Sequence, residues 1–285
     1  MRELLERAGG FMGSVDNYQE ADIALVGAPM DFTVSFRPGT RMGPRQIRTV
    51  SVGLEEYSVY LNRSLDAVRF FDCGDVSLPF GNVQESLDRI FRVARQVVQD
   101  GKFPLFLGGE HLVTYPIVKA VKERYADLVV VHFDAHADLR LSYEDQSLSH
   151  ATVMRKVCDL VEPLNVYQLG IRSGIKEEFD YANENTNMYI DQVKEPLSRI
   201  IEEVAGRPVY ITLDIDVVDP AYAPGTGTPE PGGCTAREII EAIHLLGGST
   251  VVGFDLVEVS PVYDPSERTA LLAAKLVREA MLSFC

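Results

Sequence analysis

The fold is decided by the stretch LVVVHFDAHADLR, residues 128–140, in which an apolar run leads directly into alternating acids and an imidazole. A run of this kind is typical of a parallel strand that is covered on both faces. After the run, Asp134, His136 and Asp138 alternate with small residues, and alternate side chains of an extended chain point to one face. Because an unpaired buried carboxylate is unfavourable, these three groups are expected to share a partner.

Six other apolar runs predict the rest of a sheet. They occur at residues 21–29, 68–76, 103–109, 166–172, 209–219 and 251–260. Helical patterns separate these runs, and the alternation predicts an open α/β fold whose mostly parallel sheet carries helices on both faces. No linker-like stretch divides the chain, so residues 1–285 are predicted to form one domain.

Three helices carry predicted caps at their first turns. Asn82, Thr235 and Asp264 are each followed by Glu at the spacing of a capping box. Gly101 is predicted to end the first of these helices, because glycine readily adopts the left-handed conformation that closes a helix.

Composition and charge exclude several classes of protein. No stretch approaches the roughly 18 to 20 apolar residues of a membrane span, and the charged segment at 1–10 lacks the apolar core of a signal peptide. The four cysteines form no CxxC pair, which favours a reduced, cytoplasmic protein without a disulfide framework. A net charge of −15 argues against a nucleic-acid partner and suits a cationic small-molecule substrate.

Acids and imidazoles gather at the carboxyl ends of the predicted strands, where ligands bind in open α/β sheets. Six of these residues have the donor atoms of a metal site: His111, Asp134, His136, Asp138, Asp214 and Asp216. Four carboxylates balance two divalent cations, and mixed oxygen and imidazole donors favour Mn²⁺, with Fe²⁺, Co²⁺, Ni²⁺ or Zn²⁺ as alternatives. Two metal ions about 3.5–4 Å apart can share and activate one water molecule.

Other interpretations of these residues have less support. A binuclear metallophosphatase would use similar ligands, but no basic cluster that would hold a phosphate lies near them. The GGE at 108–110 lacks the Lys-Ser/Thr of a P-loop, and no GxGxxG supports a dinucleotide site. His132 is predicted to be a buried histidine beside the site. The Gly- and Pro-rich segment at 224–233 is predicted to wall the site, whereas the segment at 37–48 is either a second wall or an ordinary basic connection.

Five motifs, in this order, resemble the ureohydrolase (arginase/agmatinase) family: GGEH, DAHAD, SHATVMR, DIDVVDP with GTGTPEPGG, and DLVEVSP. The segment RPGTRMGPRQIR is also similar to the N-terminal part of that family, so the resemblance covers nearly the whole chain. It implies a three-layer α/β/α fold, a binuclear manganese centre and a homo-oligomer, often a hexamer. Within the family the chain is most similar to agmatinases, which hydrolyse agmatine to putrescine and urea.

The resemblance also implies a role for individual residues. His150 would shuttle protons, and Glu258 would hold the guanidinium group of the substrate. A hydroxide shared by two metal ions would attack the guanidinium carbon, and Asp138 would pass a proton to the leaving amine. The implied metal ligands are His111 and Asp138 for one ion, His136 and Asp216 for the other, and Asp134 and Asp214 as bridges.

The segment LRLSYEDQSLS at 139–149 bears on the substrate. Arginases use a Ser/Asn-rich loop there to hold the α-carboxylate and α-amino groups of arginine. That pattern is missing here, which favours agmatine, a substrate without the carboxylate. Glu144 and Asp145 are hypothesised to receive the distal ammonium of agmatine. The alternatives are the same chemistry on guanidinobutyrate or arginine, and a non-catalytic metal-binding homologue with a regulatory role.

Overall fold

The computed structural model describes residues 1–285 and contains eleven strands. In chain order they are β1 (Leu5–Glu6), β2 (Ile23–Ala28), β3 (Tyr57–Ser58), β4 (Arg63–Ser64), β5 (Phe70–Val76), β6 (Phe103–Gly108), β7 (Val129–Phe133), β8 (Val166–Ile171), β9 (Asn187–Ile190), β10 (Pro208–Asp214) and β11 (Thr250–Val257). Nine of them form one sheet in the order β1-β5-β2-β6-β11-β10-β7-β8-β9, and β3 pairs with β4 in a separate hairpin. Only β1 runs antiparallel to its neighbour in the large sheet.

Helices cover both faces of the sheet. They are α1 (Gly43–Ser51), α2 (Val83–Gln99), α3 (Thr114–Lys122), α4 (Val153–Cys158), α5 (Lys176–Asn185), α6 (Leu197–Glu203), α7 (Ala236–Leu246) and α8 (Arg268–Phe284). One apolar cluster joins the sheet to α1, α6, α7 and α8, and a second joins it to α2, α3 and α4. The predicted three-layer α/β/α fold with a mostly parallel sheet is therefore confirmed.

All seven apolar runs of the sequence are strands, namely β2, β5, β6, β7, β8, β10 and β11. In β2, β7 and β8 every residue is buried, as expected for strands packed on both faces. No residue pattern predicts β1, β9 or the β3–β4 hairpin. These strands are short or lie at the sheet edge, where partial exposure removes the apolar run that marks a central strand.

The predicted helix caps have mixed outcomes. Thr235 forms the full capping box, since its Oγ1 accepts from the backbone N–H of Glu238 at 3.2 Å and its own N–H donates to the Glu238 carboxylate at 2.8 Å. Asn82 accepts from the N–H of Glu85 at 3.0 Å, but the Glu85 carboxylate pairs with an arginine of its own helix. Gly101 ends α2 with φ of 75°, as predicted.

The predicted capping box of Asp264 is wrong. Glu267 lies in the left-handed region, with φ of 60°, and α8 begins one residue later. The Asp264 carboxylate therefore reaches past Glu267 to the first turn of α8, where it accepts from the backbone N–H of Thr269 at 2.8 Å.

A buried ion pair ties α1 to the sheet. Arg48 is 1% exposed and donates to Asp72 at 2.8 Å and to Asp75 at 2.6 Å, both on β5. We expect Arg48→Leu to lower the free energy of unfolding by about 3–5 kcal/mol, because two nearly buried carboxylates lose their counter-charge. Denaturant unfolding measures this loss.

The matched control is Arg69→Leu. Arg69 pairs with Asp22 at 3.1 Å on the surface, where both side chains are more than half exposed. An exposed pair contributes at most about 1 kcal/mol, so this variant stays close to the wild-type stability. Equal losses in the two variants would refute a special role for the buried pair.

Candidate metal centre and active-site cavity

Four adjacent central strands, β6, β11, β10 and β7, bring their carboxyl ends to one edge of the sheet. His111 follows β6, and its Nδ1 lies close to two carboxylates that follow β7 and to the one that ends β10. The distances from this nitrogen are 3.0 Å to Asp134 Oδ2, 3.4 Å to Asp138 Oδ2 and 3.3 Å to Asp214 Oδ2. Three acids and one imidazole from distant parts of the chain thus converge on one point.

A second group of ligand atoms adjoins the first. His136 Nδ1 lies 3.0 Å from Asp216 Oδ2 and 3.4 Å from Asp134 Oδ1. Asp134 thus presents one oxygen to each imidazole, which is the arrangement of a bridging carboxylate. Asp214 turns one oxygen to His111, and its other oxygen accepts from the N–H of Asp216 at 2.8 Å.

The charges of this cluster fit metal ions. Burial lowers the pKa of His111, but the carboxylates of Asp134, Asp138 and Asp214 outweigh it and raise that pKa well above its ordinary value. Burial, with the negative charge of Asp134 nearby, raises the pKa of Asp138 to about 7. Both raised pKa values favour binding of a proton, because the cluster holds several acids and little positive charge. Divalent cations would supply that positive charge instead.

Two buried atoms of the cluster point to the same conclusion. His111 Nδ1 and Asp216 Oδ2 have no partner in hydrogen-bonding geometry. A buried polar atom without a partner is unfavourable, and metal coordination would satisfy both. Ligand atoms within 4.8 Å of one another form two groups that share Asp134, one with His111 and His132 and the other with His136 and Asp216, so the residues present fit a binuclear centre.

A second layer of hydrogen bonds orients the residues of the cluster. His132 is fully buried, and its Nε2 lies 2.8 Å from Asp134 Oδ2. Thr212 Oγ1 lies 3.1 Å from Nε2 of His111, which leaves Nδ1 of that ring to face the acids. Such outer partners fix the ring orientation and the tautomer of a metal-binding histidine. His132 therefore lies buried beside the cluster, as the sequence predicts.

A cavity of about 250 Å³ opens above the cluster. Glu258 forms part of its wall, is only 6% exposed, and accepts from the backbone N–H of His111 at 2.7 Å. Glu258 and Asp138 both lie in the left-handed region, with φ of 65° and 53°. The side chains that line the cavity include Ser35, His111, His136, Asp138, Arg140, Tyr143, His150, Glu178, Asp214, Thr228 and Glu258.

His150 also lines the cavity and is held by several contacts. Its Nδ1 is 3.4 Å from Thr33 Oγ1, and its Nε2 is 3.3 Å from Ser35 Oγ. The ring of Tyr143 meets the imidazole edge-on, with centroids 5.7 Å apart. Burial lowers the pKa of His150 to about 4, so its imidazole is neutral at neutral pH.

The two Gly-rich segments lie behind and beside Glu258. Thr228, in the segment at 224–233, lines the cavity, and Gly227 faces the Glu258 carboxylate. In the segment at 37–48, a Cβ on Gly43 would lie 2.5 Å from the carbonyl oxygen of Val259, so only glycine fits there. That segment therefore packs against the end of β11 rather than lining the cavity.

Glu144 and Asp145 lie apart from the other predicted residues. Both are exposed, and both have positive φ in the turn of their loop. Neither lines the cavity above the cluster. Glu144 lines an adjoining cavity of about 540 Å³, which shares Ser35 and Tyr143 with the first, and Asp145 lines neither of the two.

Sequence reasoning missed several residues of the cavity wall. Arg140 lies over the ring of Tyr143 at 4.8 Å, and its Nε is 3.4 Å from the buried carboxylate of Glu178. Arg140 and Tyr143 belong to the segment after Asp138 that bears on substrate choice, so the sequence did indicate that residues there could line the site. Ser35 carried none, because its loop has no motif of its own.

None of the helices combines the length and the apolar character that crossing a bilayer demands.

The family model described as "Arginase family" matches residues 21–283. The agmatinase of Bacillus subtilis is 54% identical over 278 residues, which cover 96% of both chains. The guanidinobutyrase of Pseudomonas aeruginosa is 38% identical and covers 91% of this chain and 85% of its own. The crystal structure of agmatine ureohydrolase from Thermoplasma volcanium superposes with a TM-score of 0.89 at 36% identity, covering 99% of this chain and 96% of that one. The chain belongs to the arginase family.

Proposed function

We propose that the chain is an agmatinase, which hydrolyses agmatine to putrescine and urea with two Mn²⁺ ions per subunit. The observation that carries the proposal is a small cavity in which Glu258 faces a cluster with the donors of a binuclear centre. Identity of 54% to the Bacillus subtilis agmatinase across nearly the whole chain supports it. The ligands proposed from the sequence are kept: His111 and Asp138, His136 and Asp216, and the bridges Asp134 and Asp214.

The charge of the cavity supports a substrate that has a guanidinium and lacks a carboxylate. Two divalent ions would balance the four aspartates of the cluster, which leaves Glu258 free to pair with a guanidinium. Arg140 is neutralised by Glu178, at 3.4 Å, and therefore offers little to a carboxylate tail. Agmatine carries a guanidinium and an ammonium, whereas guanidinobutyrate and arginine bring a carboxylate that no free cation receives.

The residues of the chain divide the proposed reaction between them. When bound, the two ions supply a water molecule with a lowered pKa, so that a nucleophile forms at neutral pH. Glu258 holds the guanidinium group so that its carbon lies next to this nucleophile. Orientation of this kind contributes several kcal/mol in general. Asp138 takes the proton of the water and gives it to the leaving nitrogen as the C–N bond breaks. His150 exchanges protons between that amine and solvent.

A urea assay tests the proposal. The protein is loaded with Mn²⁺ and offered agmatine, arginine and guanidinobutyrate in parallel, with a chelated sample as the control. Urea released from agmatine alone, and lost on chelation, is the expected result. Urea from guanidinobutyrate instead would keep the reaction and change the substrate. Two bound metal ions without urea from any of the three would favour the non-catalytic alternative.

The distal ammonium is proposed to lie toward the loop that carries Glu144 and Asp145. Glu144 has the support of lining the cavity that continues outward from the site. We expect Glu144→Gln to raise KM for agmatine roughly two- to fivefold with kcat unchanged, because an exposed ion pair contributes at most about 1 kcal/mol. Asp145→Asn, one residue further along the same turn, is the matched comparison. Unchanged KM in the double variant would remove both residues from the substrate site.

Location and assembly are also proposals. The four cysteines form no disulfide, which supports a cytoplasmic protein. Apolar side chains such as Phe80, Val52 and Val59 are 96%, 75% and 71% exposed, and their burial between subunits would suit the homo-oligomer that the sequence implied. Light scattering of the purified protein decides between the monomer and the proposed hexamer.

A further inference from the structure

We infer that Thr33 and Glu110 form a relay that fixes the imidazole of His150, with Nδ1 bound to Thr33 and Nε2 left to exchange protons in the cavity. The inference rests on the proposed function in one respect, namely that His150 carries protons. Thr33 and Glu110 are positioning residues: neither lines the cavity above the cluster, and Thr33 borders only the adjoining cavity of about 540 Å³.

The first step of the relay is the carboxylate of Glu110. It has no exposed surface, and three donors face it: the N–H of Phe32 at 3.3 Å, the N–H of Thr33 at 2.8 Å and the hydroxyl of Thr33 at 2.7 Å. Each of its two oxygens accepts from a backbone N–H, which can only donate, and Oε2 also accepts from the hydroxyl of Thr33. The hydroxyl hydrogen of Thr33 is therefore committed to Glu110.

The second step is the oxygen of Thr33. Because its hydrogen points to Glu110, Oγ1 can only accept from other groups. It accepts from the backbone N–H of His150 at 3.0 Å and lies 3.4 Å from Nδ1 of the same residue. Nδ1 must then carry the hydrogen, and the second contact sets both the ring orientation and the tautomer.

The third step is the nitrogen that remains. In a neutral imidazole with hydrogen on Nδ1, Nε2 bears the lone pair. Nε2 lies 3.3 Å from the hydroxyl of Ser35, and both residues line the cavity. Since burial keeps His150 neutral near pH 7, its tautomer decides whether the nitrogen at the cavity can take a proton.

Glu110 directly precedes the proposed ligand His111, but the contacts of Thr33 are separate from the proposed metal ligands. The side-chain hydrogen bonds of Thr33 go to Glu110 and His150, and none goes to a metal ligand. The relay also joins three loops, after β2, β6 and β7, that are distant in the sequence. A change at Thr33 should therefore alter His150 without removing metal ions, which makes the two effects separable.

A double-mutant cycle in the manganese-loaded enzyme tests the relay. We expect Thr33→Val to lower kcat for agmatine about tenfold and His150→Asn about a hundredfold, with KM within about twofold in both. The double variant should be no slower than His150→Asn alone, because Thr33 acts only through that ring. Thr33→Ser, which keeps the hydroxyl, should restore kcat.

The control variant is Thr40→Val, which makes the same change at a buried threonine of the same N-terminal region, where the hydroxyl approaches only Met30 O at 3.5 Å. It is expected to keep wild-type kcat. The relay would be refuted if Thr33→Val lowered kcat by the same factor in the His150→Asn variant as in the wild type. The hydroxyl of Thr33 would then act through packing and not through His150. Failure of Thr33→Ser to restore kcat would refute it as well.

A second measurement needs no turnover. Nitrogen-15 NMR of histidine-labelled protein, loaded with diamagnetic Zn²⁺ at neutral pH, reports the tautomer of each of the five histidines, and His150→Asn identifies the signal. Hydrogen on Nδ1 in the wild type and a tautomer mixture in Thr33→Val are expected. Hydrogen on Nε2 in the wild type would overturn the inference even if urea release is confirmed. Absence of urea release with the expected tautomer would instead refute only the proposed function.

Discussion

Asp134→Ala will leave the purified protein almost free of bound metal and without measurable urea release. The carboxylate of Asp134 faces both halves of the cluster, with Oδ2 at 3.0 Å from His111 Nδ1 and Oδ1 at 3.4 Å from His136 Nδ1. Its loss would remove a donor from both proposed ions at once and leave His132 without its acceptor. Elemental analysis after loading with Mn²⁺, in parallel with the urea assay, measures both effects.

Asp219→Ala is the matched control for this experiment. Asp219 also follows β10, but its carboxylate accepts from the backbone N–H groups of Ala221, Gly232 and Gly233. These bonds lower its pKa and hold the loop, and none of them reaches the cluster. Its metal content should match that of the wild type. Full metal content in Asp134→Ala would remove Asp134 from the ligands.

Glu258→Gln should cost the enzyme about a thousandfold in kcat/KM for agmatine while the metal content stays at the wild-type level. The amide oxygen can still accept from the N–H of His111, which Glu258 does at 2.7 Å. The amide NH₂ then faces the cavity and meets the donors of the guanidinium. Loss of one partner of a buried charged pair costs about 4 kcal/mol, which is roughly a thousandfold.

Steady-state kinetics measures kcat/KM, and elemental analysis of the same preparation measures the metal content. Glu230→Gln makes the same exchange in the loop at 224–233 but outside the cavity lining, and its kcat/KM should not change. A Glu258→Gln enzyme with wild-type kcat/KM would show that another group holds the guanidinium. Loss of metal in that variant would show that Glu258 supports the cluster instead.

The parts of the molecule that the sequence predicts are those in which one residue pattern has one structural solution. A run such as residues 128–133 is apolar on both faces, and only a central strand between two helical layers buries it. Parallel strands end at the same edge, so the acids that follow β7 and β10 meet there. The same rule places His111, which follows β6, beside Asp134 and Asp214.

The parts that the sequence does not predict depend on contacts between loops. Thr33 meets Glu110 and His150 across 77 and 117 residues of chain, and no periodic pattern marks such a pair. The pairing of Arg140 with Glu178 in the cavity wall could not be predicted from the sequence for the same reason. The capping box predicted for Asp264 and Glu267 is wrong because the left-handed turn at Glu267 is a local backbone choice that the residue pattern does not specify.

Asp138 and Glu258 show how selection would act on this fold. Both hold their carboxylates on left-handed backbone, which costs a residue other than glycine about 1–3 kcal/mol when surrounding structure enforces it. Glycine at either position would relieve that strain and delete the acid. Selection for stability and selection for turnover therefore oppose each other at these two sites. A descendant released from the reaction would be free to gain stability through glycine at either position.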